Sequence, residues 1–188
     1  MNINRIEKWA DERYLYETPH NENAFLRMVL EEIGEYLDAE TNNYDKEGMV
    51  DALGDITVFA VGELPRLGTK ADNVFLTYGR DIKEFKKQFT TSTINELTTA
   101  ENLTKILCDF IGATKDRKID VIKQLSLVCW NKIEDLGYCP DCVMDEILKE
   151  IESRTGEFSE EHGKWMKYKT PEAIAKWYKA DFSDCKKD

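Results

Sequence analysis

Apolar residues recur at steps of three and four through most of this 188-residue chain, and that spacing constrains the fold more than any other feature. Ile3, Ile6, Trp9, Ala10 and Tyr14 share one face over residues 3–16, and Leu26, Val29, Leu30, Ile33 and Leu37 form a stripe over 23–40. A third helix is predicted from Asp45 to just before Pro65, which cannot continue it. Its segment Ile56 to Val61, ITVFAV, resembles a buried strand in composition, but its length and the helix formers before it indicate a fully buried helix. Helical spacing resumes over 101–113, 117–136 and 141–153. Residues 70–100, rich in Thr and Lys, read as a short helix and a long connection. After Gly156 a turn or short hairpin is expected, then a brief helix from Pro171. No internal repeat interrupts the pattern. The expectation is one all-α domain over 1–188, a helical bundle of about five or six helices with a short irregular C-terminal tail.

Charge narrows the function classes. The net charge is −11 with a pI near 4.8, so nucleic-acid backbones and anionic membranes are disfavoured partners. No apolar run is long enough for a membrane span, and the opening MNINRIEKWADERYLYE has no apolar signal core, so a cytoplasmic location is expected. The acidity is uneven. Residues 31–55 hold nine carboxylates and one lysine, a net of −8 out of the total −11.

Glu31, Glu32 and Glu35 fall within an arc of roughly 100° on a helix, opposite the Leu26–Leu37 stripe, which by itself describes a solvated face. Asp51 and Asp55 alter that reading. They sit one turn apart at the mouth of an apolar helix, and Lys46 is the only cation between positions 29 and 65. A carboxylate there is costly to bury unless it is paired or ligates a metal. If the two helices pack antiparallel across TNNYDKEG, their carboxylates face one another and suit a hard cation such as Mg²⁺ or Mn²⁺.

Other chemistries find little support. The two histidines, His20 and His162, complete no Glu-x-x-His motif and no nucleophilic triad, and neither an EF-hand loop nor a Gly-rich phosphate loop occurs. Five cysteines, at 108, 129, 139, 142 and 185, are expected to be reduced thiols. The CPDC at 139–142 reads either as half of a zinc site or as a helix start with Pro140 in the first turn.

The segments EEIGEYLDAE and VDALGDITVF together resemble the all-α NTP pyrophosphohydrolase superfamily, and its MazG-like, bacteriophage-type branch in particular. Glu31, Glu32 and Glu35 match the E-x-x-E-containing first half of that pattern, E-E-x-x-E. Asp55 matches the final Asp of E-x-x-D, whereas the Glu of that half is Ala52 here, with Asp51 one position before it. The opening INRIEKWADERYLY is similar to the I-x-x-W-x-x-x-R helix that precedes the motif, and residues 144–167 are loosely similar to the terminal helix and basic turn of phage members.

The resemblance implies hydrolysis of a nucleoside triphosphate to the monophosphate and pyrophosphate, for nucleotide-pool control in the host cytoplasm. The substrate is expected to be a deoxynucleotide, dGTP or dATP before dUTP. It implies Mg²⁺ (or Mn²⁺) held by Glu31, Glu32, Glu35, Asp51 and Asp55, with Glu31 or Glu35 taking a proton from the attacking water. Lys149, Arg154 and Lys164 would be phosphate clamps, or else ordinary surface charge. Trp9 and Phe25 would select the base or pack the core. A homodimer or homotetramer is implied, in which Trp165, Trp177, Tyr178 and Phe182 could bury. Two other readings stand beside it: an acidic, non-catalytic helical binding protein (an inhibitor or DNA mimic) with its glutamates on an open face, and a helical scaffold whose CPDC holds zinc.

Overall fold

The computed structural model describes residues 4–75, 98–161 and 164–187. It is mostly helical, and the helices follow local rules. α1 (Asn4–Asp11) is short, and the chain turns over the next residues, with Tyr14 at a φ of 56°. Tyr14 is therefore exposed rather than part of the α1 stripe, and Ile3 lies outside the described residues. α2 (Glu22–Thr41) starts at Asn21, whose side chain accepts from the Ala24 N–H. α3 (Lys46–Glu63) starts at Asp45, which accepts from the Gly48 N–H at 3.1 Å, and it ends before Pro65 in a 3₁₀ turn, Pro65–Leu67. So short a link between two extensively packed helices makes them an antiparallel hairpin.

α4 (Ala71–Phe75) is one turn. Most of the segment expected to be a long connection, residues 76–97, lies outside the described residues. α5 (Thr99–Cys108) has a reciprocal capping box between Thr98 and Glu101. α6 (Lys115–Asp135) follows, then α7 (Pro140–Ser153) with Pro140 at its first position and Asp141 in its first turn. An antiparallel hairpin pairs β1 (Gly156–Ser159) with β2 (Lys164–Lys167), Phe158 opposite Trp165 and Gly156 opposite Lys167. The one-turn α8 (Pro171–Ile174) and a 3₁₀ turn at Ser183–Cys185 complete the chain. Among the described residues, six helices of two turns or more and two single turns make up the bundle, close to the expected number.

α3 is the central element. Met49, Val50, Leu53, Ile56, Ala60, Val61 and Leu64 are fully buried against α2, α6, α7 and α1, so ITVFAV is a helix surrounded by helices. Gly54 permits the closest approach: a Cβ there would fall 1.8 Å from Cδ1 of Ile147 on α7.

Three further expectations are corrected. The buried stripe of α2 is Phe25, Val29, Ile33 and Tyr36, while Leu30 and Leu37 are 50% and 41% exposed. Phe25 and Tyr36 fill more core volume than the two leucines, and the helix is rotated to bury them. The cysteines are not all thiols either: Cys142 is bonded to Cys185, joining α7 to the tail, and Cys139 N–H donates to the Cys185 carbonyl at 2.7 Å. Cys142 thus has no thiolate for zinc. Cys108, Cys129 and Cys139 are free, and burial pushes the Cys129 thiol up. In the tail, Phe182 is buried in its own chain rather than left for a partner.

Candidate functional site

The rotation of α2 decides where its glutamates point. Position 32 lies three residues after Val29 and four before Tyr36, so Glu32 stands at the inner margin of the buried face and is half-buried. Glu31 and Glu35 remain on the exposed side. Glu31 pairs with Arg27, one turn back, at 3.1 Å across the helix surface. Opposite, α3 presents Asp51 and Asp55 on successive turns, Asp55 half-buried and Asp51 with an open edge.

These carboxylates act on one another across the two helices. Burial, followed by the charges of Asp55, Glu35, Asp51 and Glu31, pushes Glu32 up to about 8. Burial and then Asp51 push Asp55 up to about 7, with Glu150 and Glu35 adding to the rise and Arg154 opposing it. Asp51 keeps contact with water, yet the protein packed round its carboxyl, with Glu150 and Glu35, raises it to about 6 against the pull of Arg154 and Lys179. Glu32, Glu35, Asp51 and Asp55 are thus brought together, with Glu31 at the periphery.

The same carboxylates have cationic neighbours that are remote in sequence. Arg154, just past the end of α7, pairs with Glu150 one turn earlier at 2.5 Å and lies close enough to Asp55 and Asp51 to lower both. Lys167, the last residue of β2, is pushed down by its surroundings and by Arg154, and held up by Asp55 and Glu150. The tail brings Lys179 near Asp51, and its Ala180 N–H holds Glu150 Oε2 at 2.8 Å. Lys149 is placed elsewhere: its ammonium is ion-paired with Glu146, which also accepts from the Tyr178 hydroxyl. Lys164 opens β2, and its side chain lies outside the described residues, as does His162. Trp9 and Phe25 both serve packing, Trp9 Nε1–H donating to the Ile151 carbonyl at 3.0 Å and Phe25 lying 4.9 Å from the Phe110 ring.

Three contributors escape sequence reasoning: Glu150, Lys167 and Lys179. A faint signal existed for one of them. In the strand KWMK, period-two alternation puts Lys167 on the same face as Trp165, the residue that docks on the helical body.

Among the described residues, no group of three or more His, Cys, Asp or Glu side chains stands as a ready-made metal site. The donor chemistry nevertheless fits a hard divalent ion. All the candidate ligands are carboxylate oxygens, no His or Cys lies among them, and burial, with the neighbouring carboxylates adding to it, holds three of them above their usual range. No known protein family, curated protein or solved structure matches the chain.

Proposed function

We propose that the chain is a Mg²⁺-dependent nucleoside triphosphate pyrophosphohydrolase of the MazG-like kind, releasing pyrophosphate from a deoxynucleotide such as dGTP or dATP. One observation carries this reading: four carboxylates from α2 and α3 repel one another beside Arg154 and Lys167. An anionic cluster flanked by cations suits a ligand that brings its own anionic oxygens together with a divalent ion. The E-E-x-x-E and D-x-x-x-D spacing supports the same class.

Glu32, Glu35, Asp51 and Asp55 would hold Mg²⁺, which supplies charge neutralisation at the phosphates and a more acidic water. Arg154 and Lys167 would orient the terminal phosphates, the arginine by its planar fork and the lysine as a point charge. Glu35, exposed at the edge of the cluster, is the carboxylate best placed to accept the proton of the attacking water. Glu31, paired with Arg27, would lie outside this step. The reading includes a homodimer or homotetramer, for which the exposed Leu30 and Leu37 of α2 supply an apolar face. The test is pyrophosphate release from a panel of ribo- and deoxynucleoside triphosphates with Mg²⁺ or Mn²⁺. Loss of release in both Glu35→Gln and Asp55→Asn is the expected result, and no release from any triphosphate by the folded wild-type protein would overturn the reading.

The acidic binding module is favoured by one feature, the exposure of Glu31 and Glu35, but Glu32 and Asp55 are half-buried and not on an open face. That module would capture a basic partner with or without divalent cation.

A further inference from the structure

Arg13 has no part in the carboxylate cluster, yet it touches the two elements that carry Arg154 and Lys167, the end of α7 and the hairpin. Its guanidinium carbon lies 4.9 Å from the centre of the Trp9 ring and 5.1 Å from that of Trp165, so it fills the space between an indole of α1 and one of the hairpin. Its Nη1 donates to the Trp9 carbonyl at 3.2 Å. Its Nη2 points at the carbonyls of Glu152 and Arg154, each at 3.4 Å, where the end of α7 leaves acceptors unpaired and favours a cation. Trp9 fastens the same helix end through Ile151.

The hairpin is fitted closely to this arginine. A Cβ at Gly156 would fall 2.3 Å from the Met166 carbonyl oxygen and 2.4 Å from Trp165 Cζ2, so only glycine lets the Trp165 ring lie where it meets Arg13. The Tyr168 N–H closes the base of the hairpin on the Thr155 carbonyl at 3.0 Å. Trp165 and Lys167 lie two residues apart along β2 and share one of its faces, so whatever fixes Trp165 also fixes Lys167. Arg154 is held through its own carbonyl, which accepts from the same guanidinium.

We propose that Arg13 is a positioning residue. Clamped between Trp9 and Trp165 and across the last carbonyls of α7, it sets Arg154 and Lys167 beside Asp55 as one polyphosphate-binding arm. Its ligand half rests on the pyrophosphohydrolase reading; its structural half does not.

The experiment has two arms, run on wild type, Arg13→Ala, Arg13→Lys, Lys167→Ala and the Arg13→Ala/Lys167→Ala double variant. Hydrogen exchange reports the structural half. The expected result is exchange faster by about tenfold in both hairpin strands of Arg13→Ala, with α2 and α3 unchanged, and a smaller effect in Arg13→Lys. Calorimetry with inorganic tripolyphosphate and Mg²⁺ reports the ligand half. Arg13→Ala should weaken binding about tenfold, equivalent to about 1.4 kcal/mol, and should cost less once Lys167 is gone, since only its effect through Arg154 is left. Unchanged hairpin exchange overturns the proposal whatever the binding result, and fully additive losses overturn it by showing that Arg13 does not act through Lys167. Absence of tripolyphosphate binding by the wild type sinks the pyrophosphohydrolase reading and the ligand half with it, while the exchange arm still decides the structural half. Should Arg13→Ala not fold, Trp165→Leu, which removes one jaw of the clamp, carries the same comparisons.

Discussion

Glu32→Gln should stabilise the metal-free protein, because Glu32 is ionised at a cost. Its carboxyl rises from 4.5 to about 8 through burial and the charges of Asp55, Glu35, Asp51 and Glu31. At about 1.36 kcal/mol per pH unit, a rise of that size sets an upper limit of roughly 5 kcal/mol. Glu32 is only half-buried, and solvent screens much of that sum, so an effect of about 1–2 kcal/mol is expected. The sign follows from proton counting. The folded state holds the Glu32 proton at pH values where the unfolded chain has released it, so the penalty is absent below about pH 4.5 and complete above about pH 8. Wild-type stability therefore falls across that window, and Glu32→Gln, which cannot ionise, escapes the loss. For a chain of this length the gain corresponds to a rise in Tm of about 3–6 °C. The assay is thermal unfolding at pH 5 and pH 8.5, in chelator and then in Mg²⁺. In chelator the variant should match wild type at pH 5 and exceed it at pH 8.5; in Mg²⁺ the wild type should gain more than the variant. A Glu32→Gln protein no more stable than wild type at pH 8.5 in chelator would refute the electrostatic account of the cluster.

Two further outcomes follow from packing and cross-linking. Gly54→Ala drives a methyl to within 1.8 Å of Ile147 Cδ1, so despite the better helix propensity of alanine a net loss of about 1–2 kcal/mol is expected in denaturant unfolding. Adding Ile147→Val should recover part of that loss, and an additive double variant would show that the two side chains do not compete. Cys185→Ser opens a cross-link between residues 43 apart, which on loop entropy should lower stability by about 3–4 kcal/mol under non-reducing conditions; a variant as stable as the oxidised parent would mean that the bond is not formed in solution.

The acidic half of the site was legible because it is local. Glu32, Glu35, Asp51 and Asp55 lie on two consecutive helices, the second with a start near Asp45 and a stop at Pro65 that can be read from sequence. What misled was the exact rotation of α2. Periodicity placed Leu30 and Leu37 inside, because a stripe of leucines scores as well as one of mixed residues; in the structure Phe25 and Tyr36 displace them. That shift carries Glu32 from the solvated face to the buried margin, which propensity alone does not determine. The hairpin and the helix at Pro171 were visible through punctuation by Gly156 and Pro171, whereas the Cys142–Cys185 bond was not, since an odd cysteine count says nothing of which thiols meet.

The cationic half illustrates a more general obstacle. Arg154, Lys167 and Lys179 come from a helix end, a strand and the tail, about a hundred or more residues from the carboxylates they face, and each taken alone is an ordinary surface cation. Lys149 looked as good in sequence as Arg154, and it is placed with Glu146 and Tyr178 instead. What separates the two is a packing fact: the end of α7 is anchored by Trp9 and Arg13 from the opposite end of the chain, and Arg154 at that end lies beside Asp51 and Asp55 of α3 while Lys149 is paired with Glu146. The helix pair 22–63 can be read as a source of negative charge without knowing the rest of the chain, but two of its balancing cations, Arg154 and Lys167, come together where α1, α7 and the hairpin meet round one arginine. A substitution at that arginine should therefore disturb the cations while leaving the carboxylates in place, an asymmetry that ordinary core damage, which loosens α2 and α3 together with everything packed on them, does not produce.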